Sequence, residues 1–283
     1  MTKVPYAEVI GDPISHSKSP VIHKYWLHQL GIEGDYRRTR LAAAELANFL
    51  DRSRSDPNWR GCNVTIPHKQ SIIPLLDRLE AGAETIGAVN CVVPEKGALV
   101  GYNSDIDGVA AALDSTPLQN RKSALIGAGG GARAVVAYLA RRGVGRIAIL
   151  ARDLERAETL CALAPRASVR ILGFDRSEAA FGGAAAIINA SPLGMSGAVP
   201  MPQTLLDAVR SHAAGTTVFD LVTTPTQTEF LSAASKAGGK LVDGLSMLVG
   251  QAARAFELFF GKPPPPPTDE LRHLLITDRR YSA

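Results

Sequence analysis

Lys122–Asp153, KSALIGAGGGARAVVAYLARRGVGRIAILARD, is the stretch on which the fold turns. It opens with the short apolar run Ser123–Ile126, passes through the glycine-rich Gly127–Gly131, and continues in a helical pattern, Ala132–Arg142, that Gly143 closes. A second apolar run, Arg146–Leu150, follows at once. Strand, helix and strand in this order make a βαβ unit, and such a crossover implies a parallel sheet. Within it, Gly127-Ala128-Gly129-Gly130-Gly131-Ala132 fits G-x-G-x-x-G/A directly after a strand and at the start of a helix, the context that gives the motif meaning. Gly127 permits the tight turn, Gly129 lets the backbone approach a pyrophosphate, and Ala132 allows the helix to pack closely. The N–H groups freed at the helix start then face the anion. The six residues from Gly127 to Ala132 are therefore candidates for holding a dinucleotide, the competing explanation being a mere tight turn.

The end of the second strand selects between cofactors. An acidic residue there accepts hydrogen bonds from the adenosine ribose and favours NAD, whereas arginine receives the 2′-phosphate of NADP. Ala151-Arg152-Asp153-Leu154-Glu155-Arg156 offers both. If Asp153 caps the helix that starts at Leu154, Arg152 and Arg156 are left to clamp a phosphate. NADP is the expected cofactor, with NAD the alternative.

Working outward, Leu154–Ala164 reads as a helix and Ser168–Leu172 as a third strand. Ala185–Asn189 and Thr217–Asp220 extend the sheet, with a helix near Gln203–Arg210 between them. Toward the N-terminus, Ala7–Gly11, Tyr36–Thr39 and Gly61–Thr65 read as strands. A helix from Pro20 to Leu30, with Ser19 as its cap, and another over Ala43–Leu50 lie between them. Asn90–Val93 and Leu99–Tyr102 look like a strand pair. The expected fold is thus α/β in two domains with a cleft between them. One is a split domain of residues 1–105 completed by 244–283, and the other a Rossmann-type domain of residues 106–243. The five prolines Pro263–Pro267 make a stiff polyproline II segment from which a last helix, about Thr268–Ile276, turns back onto the protein; a plain surface loop is the other reading.

Composition narrows the function classes. Hydrophobic residues are 46% and charged residues 20% of 283, which suits a soluble globular chain with two cores. The net charge of +4 is spread out, and the pairs Arg37-Arg38, Arg141-Arg142 and Arg279-Arg280 are short and far apart, so nucleic-acid binding is not expected. Cys62, Cys91 and Cys161 contain no C-x-x-C pair, which argues against a disulfide framework and against a structural metal. No apolar stretch reaches the ~18 residues of a membrane span, and MTKVPYAEVIGDP lacks the apolar core of a signal peptide. A cytoplasmic monomer or homodimer acting on a small anionic molecule is the expectation, and no metal is expected.

Three polar clusters lie outside the dinucleotide motif: Ser15-His16-Ser17-Lys18-Ser19-Pro20 before a helix, Asn63-Val64-Thr65-Ile66-Pro67-His68-Lys69 at a strand end, and Gly101–Gly108. Hydroxyls backed by helix N–H groups suit a carboxylate. Taken alone, Lys69 would read as a surface charge, Asp105 as a helix cap, and His16 and His68 as structural loop histidines. Taken together, G-D-P-I-S-H-S-K-S-P, N-V-T-I-P-H-K, G-A-V-N at Gly87–Asn90, Y-N-S-D, G-A-G-G-G-A-R-A, N-A-S-P-L-G-M at Asn189–Met195 and D-G-L-S-M-L-V-G-Q-A-A at Asp243–Ala253 span nearly the whole chain. In this order they resemble the shikimate/quinate dehydrogenase family.

The resemblance implies an oxidoreductase of the shikimate pathway, which leads to chorismate and the aromatic amino acids. It reversibly reduces 3-dehydroshikimate to shikimate with a nicotinamide cofactor. It places Ser17 and Ser19 on the carboxylate of this cyclohexene acid, and Thr65, Lys69, Asn90, Asp105 and Gln251 on the ring hydroxyls. It makes Lys69 and Asp105 the catalytic pair, and it adds Met195 and Gly244 to the cofactor-binding residues. Met195 and Met247 would pack near the nicotinamide or in plain core. The chemistry agrees, since hydride arriving at a ketone leaves an alkoxide that a lysine ammonium can stabilise and protonate. Two departures stand out. Thr223 occupies the place of a family tyrosine in D-x-V-Y, which would shorten the reach toward the carboxylate. Ala151 and Asp153 stand where NADP-using members read N-R-T. A quinate or quinate/shikimate dehydrogenase, NAD-linked, and a non-catalytic dinucleotide-binding regulator are the competing functions.

Overall fold

The computed structural model describes residues 4–277. The chain divides into two compact units, one formed by the residues up to Ser104 together with those from Gln251 on, the other by Asp105–Gly250.

The first unit contains β1 (Tyr6–Gly11), α1 (Ser19–Gln29), β2 (Asp35–Arg40), α2 (Leu46–Arg54), β3 (Trp59–Val64) and α3 (His68–Ser71). These are followed by β4 (Arg78–Leu79), α4 (Ala81–Ile86), β5 (Cys91–Glu95) and β6 (Ala98–Tyr102). Its sheet runs β2-β1-β3-β5-β6-β4. β1 is parallel to both β2 and β3, whereas β3, β5 and β6 are successively antiparallel. The β5–β6 hairpin turns at Lys96 and Gly97, both at positive φ (51° and 87°), the backbone form that suits the twist of a two-residue hairpin. Both sheet faces are covered. Ile10, Cys62, Val64 and Val92 pack with Phe49 and Trp59 on one side, and Ala7, Val9, Tyr36 and Cys91 pack with Phe259 on the other. His23 is sealed in this second layer, stacked on Tyr36 with ring centroids 4.0 Å apart. Burial pushes its imidazole down to about 3, so it is neutral.

The second unit contains α5 (Asp105–Leu113), β7 (Lys122–Ile126), α6 (Gly130–Arg141), β8 (Arg146–Leu150), α7 (Leu154–Glu158), β9 (Ser168–Leu172) and α8 (Ser177–Phe181). It continues with β10 (Ala184–Asn189), α9 (Gln203–His212), β11 (Thr217–Asp220), α10 (Glu229–Lys236) and β12 (Lys240–Val242). Its six strands are all parallel, in the order β9-β8-β7-β10-β11-β12. Counted within the unit this is 3-2-1-4-5-6, the doubly wound order of a Rossmann fold. The order reverses between β7 and β10, and ligands of such sheets bind beyond the strand ends at that point. Burial on both faces explains why the four central strands β8, β7, β10 and β11 read as largely apolar runs, whereas edge strands β9 and β12 are mostly exposed or half-buried.

The boundary between the units falls inside α11 (Gly244–Phe260), and α12 (Asp269–Thr277) ends the described chain. After the proline run α12 returns to α1: the Tyr25 hydroxyl is 2.9 Å from Thr268 Oγ1, and Lys18 Nζ donates to the Leu275 carbonyl at 2.8 Å. No described helix is long and apolar enough to cross a membrane.

Several expected bounds shift. Ser19 does not cap α1; it is the first helical residue, and its N–H is accepted at 3.3 Å by the Ser17 hydroxyl. The helix expected over Leu154–Ala164 stops at Glu158 and is followed only by a single tight turn, Cys161–Leu163. Pro165 accounts only for the last residue, holding Ala164 out of the helical region at φ −133°; nothing in the structure explains the stop at Glu158. The helix expected over Ala43–Leu50 begins in a tight turn at Ala43–Glu45 and continues to Arg54.

Candidate active site

Four strand ends of the second unit build one cleft of about 250 Å³. β7 supplies the turn Gly127–Gly129, β8 supplies Ala151, Arg152 and Asp153, the end of β9 supplies Phe174, and β10 supplies Ala190–Leu193; Arg156 of α7 joins them. The cleft therefore sits at the strand-order reversal. Gly127 has φ +107°, a conformation that L side chains rarely adopt, and a Cβ there would lie 3.0 Å from the Ala190 carbonyl. Gly129 differs: its φ is −88° and a Cβ there would meet nothing within 4 Å. Glycine at 129 is thus required neither by its own backbone nor by its protein neighbours; it leaves open space before the N-terminus of α6. Gly130 and Gly131 form the first turn of that helix, and fully buried Ala132 packs it down.

Asp153 resolves the ambiguity at the end of β8. It is the N-cap of α7, where its carboxylate accepts the Arg156 N–H at 2.9 Å. Arg152 and Arg156 are both exposed, and among the described residues neither guanidinium is held in a salt bridge. Met195 lies two residues past the cleft wall and is 43% exposed. Gly244 does not line the cleft; a Cβ there would fall 2.4 Å from the Val222 carbonyl, so this glycine permits the close passage of two backbones.

The loop after β10 is fixed by a buried polar network that sequence reading missed. Asn189 Oδ1 accepts from the Ser191 N–H (3.1 Å) and hydroxyl (2.6 Å), while its Nδ2 donates to the Leu193 carbonyl (3.2 Å) and to Asp220 Oδ1 (2.9 Å). Asp220, fully buried, also accepts from the Val222 N–H at 3.0 Å and the Thr228 hydroxyl at 2.7 Å. Burial pushes its carboxyl up to about 6 against the pull of these donors. Phe174 was missed as well; an aromatic residue just after the third strand of a doubly wound sheet is the signal that could have found it.

In the first unit the polar clusters gather at the carboxyl ends of β1 and β3. The Ser17 hydroxyl is 3.3 Å from that of Ser19, which is 7% exposed. Thr65 stands just past β3, donating its N–H to the Ile10 carbonyl, and its methyl fits against Gly11, where a Cβ would lie 2.5 Å away. Half-buried Lys69 lies on α3, and its carbonyl accepts the Val89 N–H at 2.8 Å, which brings it to the segment before Asn90. Asn90 is bonded to Ser104 both ways: its Oδ1 accepts the Ser104 N–H at 2.7 Å and its Nδ2 donates to the Ser104 hydroxyl at 3.1 Å. That hydroxyl reaches Gln251 Oε1 at 3.5 Å. Asn90, Ser104 and Gln251 thus form one cluster, and buried Asp105 follows it directly in the chain. His68 is buried with Nε2 2.6 Å from the Leu41 carbonyl, a structural role.

Comparison with known proteins places this architecture. Models described as the shikimate dehydrogenase substrate-binding domain, the shikimate/quinate 5-dehydrogenase domain and the shikimate 5′-dehydrogenase C-terminal domain match residues 9–92, 110–221 and 244–271. A shikimate dehydrogenase (NADP(+)) of Sphingopyxis alaskensis is 46% identical over 279 residues, covering 96% of this chain and 97% of that one. The chain belongs to the shikimate dehydrogenase family. Solved structures of the family superpose closely. Shikimate 5-dehydrogenase of Listeria monocytogenes, in complex with shikimate and NAD, gives a TM-score of 0.87 at 29% identity, over 97% of both chains. The Thermus thermophilus enzyme, in complex with NADP(H) and shikimate, gives 0.81 at 31% identity, over 93% of this chain and 96% of that one.

Proposed function

We infer that this chain is an NADP-dependent oxidoreductase that interconverts 3-dehydroshikimate and shikimate. The observation that carries the reading is its near full-length relationship to an NADP-dependent shikimate dehydrogenase, joined to a cleft whose donors suit that cofactor. The fit is physical. The space before Gly129 is open, the N–H groups of α6 face it, and two guanidiniums stand at the end of β8 while the competing carboxylate is engaged as a helix cap. In this reading Gly127–Ala132 hold the pyrophosphate, and Arg152 and Arg156 hold the 2′-phosphate, to which planar guanidinium groups bind bidentately. The bound nicotinamide supplies or accepts the hydride.

The remaining work falls to the first unit and to Asp105. Ser17 and Ser19 donate their hydroxyls to the substrate carboxylate at the N-terminus of α1, where the helix dipole adds to the attraction. Thr65, Asn90 and Gln251 bind the ring hydroxyls and fix which carbon is presented. The Lys69 ammonium stabilises the charge that develops on the substrate oxygen and protonates it; in the reverse direction it takes the proton back. Asp105 is the acidic member of this pair.

The test is the rise in reduced-nicotinamide absorbance with shikimate and NADP⁺, in wild type and in Lys69→Ala. The wild type is expected to turn over, and the folded variant to lose roughly 10²-fold or more, the low end of what a positioned acid or base contributes. A wild type inert toward shikimate, or a variant with near-native turnover, would overturn the assignment.

A further inference from the structure

The Arg37-Arg38 pair has no role in the reading above, yet the structure separates its two members sharply. Side chains alternate along β2. Arg37 lies over the Tyr6 ring, 3.9 Å from its centroid, on one face. Arg38, in register with Val9 of β1, falls on the other face with buried Tyr36. From there its guanidinium reaches the loop between β1 and α1 and donates twice to one acceptor, the Ser17 carbonyl, from Nε at 2.9 Å and Nη2 at 2.6 Å. That carbonyl lies just outside α1, whose first backbone acceptor is Lys18.

Gripping the Ser17 carbonyl fixes the Ser17–Lys18 peptide plane. The Ser17 side chain is set by the same geometry, since its hydroxyl accepts the Ser19 N–H and points at the Ser19 hydroxyl, both at 3.3 Å. The next residue is anchored independently, by Lys18 Nζ on the Leu275 carbonyl. The loop therefore stays attached to the fold without Arg38; what it loses is the orientation of the two hydroxyls. We propose that Arg38 is a positioning residue for carboxylate recognition, presenting Ser17 and Ser19 to the acid group of the substrate through its bidentate hold on the Ser17 carbonyl. This rests on the reading of Ser17 and Ser19 as the carboxylate site.

The experiment is steady-state kinetics of full-length Arg38→Met, Arg38→Lys, Ser17→Ala and the double variant Ser17→Ala/Arg38→Met, each checked by thermal melting. Arg38→Met is expected to raise KM for shikimate about tenfold, with most of the loss in KM rather than kcat and with KM for NADP⁺ changed less than about twofold; tenfold corresponds to ~1.4 kcal/mol. Arg38→Lys, which keeps the charge and one donor but not the fork, should raise it about threefold, and it carries the test alone if the methionine variant does not fold. Because Arg38 acts through Ser17, the double variant should be little worse than Ser17→Ala, a coupling that independent sites lack. Equal loss toward shikimate and NADP⁺, or full additivity in the double variant, would overturn the proposal. A clear effect of Ser17→Ala with none at Arg38 would overturn it alone, whereas no effect of Ser17→Ala would remove the carboxylate reading along with it.

Discussion

Alanine at Gly127 and alanine at Gly129, two positions apart in one turn, should have opposite consequences. At Gly127 the backbone sits at φ +107° and a Cβ would press to 3.0 Å on both the Ala190 carbonyl oxygen and the Ser191 nitrogen. These are backbone atoms on the adjoining strand end, held by the Asn189 network, and they cannot swing aside. A side chain in so sparsely populated a conformation costs of order 1–3 kcal/mol. With the contact added, Gly127→Ala should lose about 2–4 kcal/mol, or roughly 4–16 °C of melting temperature for a domain of this size. At Gly129 the φ of −88° suits any L residue and the new methyl meets no atom within 4 Å. Gly129→Ala should therefore melt within a few degrees of wild type, or slightly higher, because alanine restricts the unfolded chain. It should nonetheless bind cofactor about tenfold to a hundredfold more weakly, since the methyl occupies the space into which a pyrophosphate must come. Differential scanning calorimetry and titration of NADPH fluorescence measure the two quantities separately. A Gly129→Ala protein with wild-type affinity would refute the argument that this open space is where the cofactor lies against the backbone.

Three further outcomes follow from the same structure. Arg152→Ala should lower kcat/KM for NADP⁺ about tenfold to a hundredfold, the loss of one charge-assisted partner, and leave the value for NAD⁺ nearly unchanged; equal loss for both cofactors would show that Arg152 does not read the 2′-phosphate. Asp220 has its folded pKa raised from 3.8 to about 6 by burial, so the native state binds more protons than the unfolded one between those values, and this group's contribution to stability falls as pH rises through the window. The shift corresponds to about 3 kcal/mol, so Asp220→Asn should gain that much relative to wild type between about pH 4 and pH 7 in urea melts; a pH-independent difference would contradict it. His23 has the opposite sign: with its folded pKa depressed from 6.5 to about 3, its contribution is complete above 6.5 and is lost as pH falls toward 3. His23→Phe should flatten the acid limb of the stability curve, and an unchanged acid limb would mean that other groups dominate it.

How much of this could be read beforehand differs between the two units. The doubly wound unit announced itself because its central strands are buried on both faces and read as apolar runs, the first two separated by a glycine-rich turn and a helix. The mixed sheet was legible in pieces: β5 and β6 were seen as a pair, but two-residue β4 is too short to carry a pattern. Helix α11 went unnamed although Gln251, Arg254 and Glu257 recur at helical spacing and give LSMLVGQAARAFELFF a polar side; Asp243–Ala253 was weighed as a motif and not as an element. At the site, motif residues were placed by type and spacing, whereas Arg38 and Asp220 were not. Their parts depend on which backbone groups lie within reach of a guanidinium or carboxylate after the chain has folded, and Ser17 is 21 positions from Arg38 and Asn189 is 31 from Asp220. Asp153 shows the intermediate case: both of its options were visible, and only the N–H of Arg156 decided between them.

The split first unit has a consequence for synthesis. Its core takes Ala255 and Phe259 from α11, against Ala7, Val9, Tyr36 and Cys91, and all of β1–β6 is synthesised before Asp105–Gly250 is begun. At ~5–20 residues per second that intervening stretch takes on the order of ten seconds to translate. Through that interval one face of a nearly finished sheet is covered by α1 alone and lacks α11, while the second unit, contiguous in sequence, can fold as soon as it emerges. The nascent chain therefore completes its domains in the reverse of the order in which it starts them, and the part of that face awaiting Ala255 and Phe259 is where a ribosome-associated chaperone would find its longest-lived target.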